Sequence, residues 1–185
     1  MRKLLVALFA TLLLMGSSVT MIATAQEGTP EVDRGDLGDA GGNPVDPVIG
    51  DTVTYFTEDG EEAGNVTVES IERGWEDYDE FYEPEDGTEY VAFVISVEST
   101  IARGAIDVQQ YDFSLQTAQG YLWSSAFTSS ETADPPLLED NLSLAAGDSE
   151  TFTIVFQVHE DEPLAHLYWQ PDTGVLITAA QLEDE

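Results

Sequence analysis

Residues 88–100 read TEYVAFVISVEST, and this stretch decides the fold. Val91, Phe93, Ile95 and Val97 share one face at a period of two, the spacing of a β-strand. Tyr90, Ala92 and Val94 make the opposite face largely apolar as well. A strand that is apolar on both sides is covered on both, so this one belongs in the middle of a sheet. The rest of the chain reads as shorter strands and turns arranged around it.

Upstream, Val48 to Thr57 forms a first strand and Ala63 to Ile71 a second, with Val66 and Val68 alternating against Thr67 and Glu69. Asp59-Gly60 between them suits a hairpin turn. Downstream, Ile106 to Thr117 reads as one strand region with Phe113 and Leu115 inward, and Gln119-Gly120 turns it into Tyr121-Leu122-Trp123. Thr128 to Asn141 reads as a polar loop, and Leu142 and Leu144 as a short edge strand. Ser149 to His159 alternates strongly, with Phe152, Ile154, Phe156 and Val158 on one face. Leu164 to Gln170 and Val175 to Ala180 complete the set. Seven to nine short strands, separated by Gly, Pro and Asp and without a long helix, predict an all-β sandwich of antiparallel strands over residues 48–182.

The first residues carry a different signal. Arg2 and Lys3 precede an apolar run from Leu4 to Met15, and Ala23-Thr24-Ala25 is a small-x-small site. This predicts a signal peptide over residues 1–25, removed before Gln26, and hence a secreted protein; an uncleaved N-terminal anchor is the alternative. The 185-residue chain has no Cys, so it has no lipid-attachment cysteine and no disulfide. Residues 26–47, rich in Gly, Asp and Pro, read as a flexible linker.

Removal of the leader leaves 37 acidic residues against three arginines, Arg34, Arg73 and Arg103. Such a charge argues against nucleic acid and against an anionic membrane face as partners. Self-repulsion destabilises the compact state at low salt.

Three stretches together resemble a known family: the long strand behind GWEDYDEFYEPEDG (74–87), YDFSLQTAQGYLW (111–123), and LSLAAGDSETFTIVFQVHEDEPLAHLYWQP (142–171). They are similar to secreted bacterial immunoglobulin-like domains of unknown function in the telokin-like superfamily. The resemblance implies an extracellular immunoglobulin-like β-sandwich without established catalytic residues. It departs from the family at the missing lipid-bearing Cys, at Ser99, where Asn is frequent, and at Ala146, where Pro is frequent.

The unusual segment is WEDYDEFYEPED, residues 75–86. Trp75, Tyr78 and Tyr82 fall at helical spacing, so a helical turn would place their rings over one end of the sandwich. Glu76, Asp77, Asp79, Glu80 and Glu83 supply hard carboxylate oxygens of the kind that hold Ca2+, the one candidate ion for a chain that otherwise calls for no cofactor. Their spacing does not match an EF-hand loop. Trp75, Tyr78, Tyr82 and Trp123 form a second candidate set, a ring surface for another extracellular protein or a cell-surface polymer. His159 and His166 lack further metal ligands and are expected to be exposed.

Nothing in the sequence marks an enzyme. It has no Cys nucleophile, no Gly-x-Ser-x-Gly elbow, no phosphate loop and no His-Glu-x-x-His. Acids are so abundant that a glycosidase-like pair arises by chance. The composition and motifs therefore point to a non-enzymatic binding module, with a cation-binding module as the alternative and an extracellular polysaccharide-binding or hydrolytic protein below it.

Overall fold

The structure, a computed structural model, describes residues 42–57, 59–138, 141–171 and 174–182. The expected leader and most of the expected linker lie outside them. Among the described residues there are ten strands. These are β1 (Thr52–Phe56), β2 (Glu62–Arg73), β3 (Thr88–Ser99), β4 (Ala105–Val108), β5 (Phe113–Thr117), β6 (Leu122–Ser124), β7 (Leu142–Ala145), β8 (Ser149–His159), β9 (Leu164–Trp169) and β10 (Ile177–Gln181). They build an immunoglobulin-like sandwich from a four-stranded sheet β1-β2-β3-β8, a four-stranded sheet β10-β9-β5-β6 and a small β4-β7 pair. Every pairing between named strands is antiparallel.

β3 lies in the middle of the first sheet, paired to β2 along one side and to β8 along the other. Val91, Phe93, Ile95 and Val97 are fully buried in the main core. They meet Phe152, Ile154, Phe156 and Val158 of β8, and Phe113, Leu115, Leu167 and Trp169 from the second sheet. Trp169 stacks on Phe113 at 6.0 Å and meets Tyr55 of β1 at 5.6 Å, so one indole joins both sheets.

Two sequence expectations change. Ile106 to Thr117 is not one strand: β4 and β5 are separate, split by a short 3-10 turn, Gln110–Asp112. The Asp112 carboxylate accepts the Gln109 N–H at 2.8 Å, so a side chain breaks the strand where no Gly or Pro announces it. In β2 the register slips between Val68 and Ser70. A bulge there turns the alternation over, so that Val66 and Val68 face the core and then Ile71 does.

Both edges of the first sheet are covered, as an exposed edge invites foreign strands. On β1, Asn43 does this with one side chain: its Nδ2 donates to Thr54 O at 2.8 Å and its Oδ1 accepts from Thr54 N at 2.7 Å. Asn43 lies in the stretch whose composition reads as linker, yet it is bonded to the domain. On β8, the segment 125–138 lies along the free edge. Ala126 N donates to Val155 O at 2.7 Å, Thr153 N to Pro136 O at 2.8 Å, and Leu138 N to Thr153 O at 3.0 Å. The stretch expected as a polar loop is therefore bonded to the sheet and contributes buried Leu138 to the core.

Candidate functional site

The outer face of β3 and β8 carries a second apolar cluster. Trp75, Tyr90, Ala92 and Val155 are buried in it, with Tyr78, Ala126, Ala133 and Leu137 packed around them. Gly74 starts this arrangement. Its φ of +64° is open to glycine and strained for other residues, and it lets the chain leave β2 and turn back over the sheet. Trp75 N then donates to Tyr90 O at 3.1 Å. The indole, 4% exposed, lies 6.2 Å from the rings of both Tyr78 and Tyr90.

Residues 75–87 form no helix. The three rings of the i, i+3, i+7 line do come over the sheet, but from an irregular loop with two isolated turns, Tyr82 N to Asp79 O at 2.8 Å and Thr88 N to Glu85 O at 3.0 Å. They cover the outer face rather than an end of the sandwich. Like charges at Glu76 and Glu80, and at Asp79 and Glu83, oppose a helix at these four-residue spacings.

Asp79 ties this loop to the segment along β8. Its Oδ2 accepts the Ser129 hydroxyl at 2.7 Å and its Oδ1 accepts the Glu131 N–H at 3.2 Å. Its own N–H donates to Ser129 O at 2.8 Å. Tyr82 is held twice, by its carbonyl accepting the Tyr90 hydroxyl at 2.9 Å and by its ring against Phe127 at 5.8 Å. Burial pushes the Tyr90 phenol above its ordinary pKa of 10.0, and the neighbouring Tyr78 adds to this. The Thr128 hydroxyl opposes the shift, although it makes no well-formed hydrogen bond there.

The carboxylates do not gather. Among the described residues no three His, Asp or Glu side chains come together to hold an ion. Glu76, Asp77, Glu80 and Glu83 are exposed, while Asp79 is half-buried with both oxygens bonded to the neighbouring loop. Of the ring set, Trp75, Tyr78 and Tyr82 share one site. Trp123 does not: it sits on β6, half-buried against the main core, with its ring edge on His159 at 5.5 Å. His166, expected to be exposed, is half-buried; it stacks on Tyr168 at 5.6 Å with Nδ1 3.2 Å from Gln116 Oε1.

The structure also singles out two residues that the spacing argument passed over. Phe81 is 91% exposed and Phe127 is 81% exposed. Phe81 lies next to Tyr82 but does not join the three rings over the sheet. Between the 126–138 segment and β8 is a cavity of about 30 Å3, lined by Ala126, Thr128, Leu137 and Val155 among others. That holds a water or two and no organic substrate.

This architecture defines a small immunoglobulin-like β-sandwich whose central strand is roofed by two loops. The chain belongs to the family described as a domain of unknown function, DUF4352, matched over residues 60–175. This agrees with the resemblance read in the sequence. The fold is similar to that of MPT63, a secreted protein of Mycobacterium tuberculosis, with a TM-score of 0.55 at 15% identity over 75% of this chain and 98% of that one. It is also similar to the yjhA protein of Bacillus subtilis, with a TM-score of 0.52 at 16% identity over 74% and 99%. The ycdA protein of Bacillus subtilis, a candidate lipoprotein, aligns with a TM-score of 0.52 at 15% identity over 71% of this chain. This chain spans 38% of ycdA's length. No curated protein matches the chain in sequence. No helix among the described residues is long and apolar enough to cross a membrane.

Proposed function

We propose that this protein works outside the cell as a non-catalytic binding module, and that its binding surface is the junction of the 75–87 and 125–131 loops. The observation that carries this reading is the pair Phe81 and Phe127, almost wholly exposed above a base that is itself buried and hydrogen-bonded. A phenylalanine in water gains nothing for the fold, whereas a ring presented on a rigid support is suited to bury itself in a partner. The leader-like N-terminus and the secreted relative of the same fold favour an extracellular setting. The cavity between the 126–138 segment and β8 has room for a water or two, which suits binding better than chemistry there.

Site-directed photo-crosslinking on the native cell envelope tests the reading. A photoreactive residue replacing Phe127 should yield discrete adducts, and one replacing Ser114, on the second sheet, should not. Adducts from position 114 with none from position 127 would place the surface elsewhere.

A further inference from the structure

The same junction limits what the partner can be. Phe81, Tyr82 and Phe127 are apolar, but Glu80, Glu83 and Glu131 stand exposed in the segments that carry them. Among the described residues the cations are Arg73 and Arg103, against seven carboxylates between Glu76 and Asp86 and one, Glu131, at the end of the 125–131 loop. Arg73 is already engaged: its guanidinium pairs with the Glu89 carboxylate and donates to Glu162 O at 3.0 Å. The surface thus offers rings and negative charge together, with no local positive group to neutralise the rim.

Resting on the binding-module reading, we infer that the occupant is a cationic, partly apolar polypeptide segment, in which arginine or lysine alternates with aliphatic side chains. Aliphatic groups bury Phe81 and Phe127. The cations lie over the ring faces and meet the carboxylates of the rim, gaining both cation–π and ionic contacts. A second copy of this chain is a poor occupant, because 37 acids against five basic residues make its surfaces repel. A neutral glycan would use the rings and leave the acidic rim without a role. Long-range attraction from the whole negative surface would speed the encounter with a cationic segment and would be screened by salt.

Calorimetric titration of the full chain with short synthetic probes tests this. The probes are a peptide alternating arginine and leucine, its counterpart with glutamate for arginine, a neutral serine–leucine counterpart and a soluble β-glucan. The arginine peptide should bind, and its affinity should fall about tenfold between low and physiological salt. In the Phe81→Ala, Phe127→Ala double variant it should fall about thirtyfold, and Phe81→Ala alone, which removes a ring 91% exposed, should weaken it with an unchanged melting temperature. Glu80→Gln with Glu83→Gln should weaken binding and flatten its salt dependence. If the neutral peptide or the glucan binds as well as the arginine peptide, and still needs Phe81 and Phe127, the cationic class is wrong while the module stands. If no probe distinguishes the wild type from the double phenylalanine variant, the partner class and the binding surface both fall.

Discussion

The two faces of β3 are buried by different means. On the inner face, Val91, Phe93, Ile95 and Val97 interlock with two other strands of their own sheet and with the second sheet. On the outer face, Tyr90 and Ala92 are covered by loops, and those loops stay closed through a few polar contacts centred on Asp79. Nonpolar packing holds the inner face without any one indispensable contact. The outer face has a smaller apolar cluster around Trp75, and the loops over it are joined to each other by a carboxylate, a hydroxyl and backbone groups. The difference teaches where a sandwich of this kind has freedom: a roof closed by polar ties can change its sequence and display new side chains without disturbing the core.

The comparison can be broken by mutation. Phe93→Ala should have the largest effect, a loss of about 4 kcal/mol in chemical denaturation, because it leaves a cavity between two sheets that cannot collapse. Trp75→Ala should cost about 3 kcal/mol, since the loops above it can partly settle into the space. An equal or larger loss than that of Phe93→Ala would reverse the ranking of the two faces. Asp79→Ala should cost about 1–2 kcal/mol through its two lost hydrogen bonds, and should loosen the aromatic roof, seen as a weakened near-ultraviolet circular dichroism band. Ser99→Ala should be neutral to slightly stabilising, because it removes a buried hydroxyl at the end of β3 that makes no hydrogen bond within the protein.

Alkaline titration sharpens the same contrast. The folded Tyr90 phenol keeps its proton more tightly than the unfolded chain does. Its contribution is therefore fully present below about pH 10 and is lost as pH rises through the higher folded value. Tyr90→Phe should flatten that alkaline limb in melts taken from pH 9 upward, while Phe93→Ala should leave its slope unchanged.

The inner face was legible in sequence because burial on both sides writes itself directly as apolar residues in both registers, from Tyr90 to Val97. β8 was legible from its alternation, with Phe152, Ile154, Phe156 and Val158 on one face. The β4–β5 break was not, because it depends on the side chain of Asp112 bonding locally, and no glycine or proline marks it. The outer roof was half legible. The spacing of Trp75, Tyr78 and Tyr82 correctly grouped three rings, but the segment that carries them is irregular, and its like charges at four-residue spacing oppose the helix that the spacing suggested. The tie from Asp79 to Ser129 joins positions 50 residues apart, and no local pattern encodes it. The same tie uses both oxygens of Asp79, one of the acids read as a cation site, within the protein, and among the described residues the acids of this loop do not gather.

Amide hydrogen exchange at Trp75 tests the central claim most directly. The Trp75 N–H is bonded to Tyr90 O beneath the roof, so it should be protected in the wild type. In Asp79→Ala its exchange should accelerate by at least about tenfold, while the Phe93 and Ile95 amides of β3 keep their rank as the slowest in the domain. A Trp75 amide that exchanges at the rate of an open loop in the wild type, or one that Asp79→Ala leaves unchanged, would contradict the account.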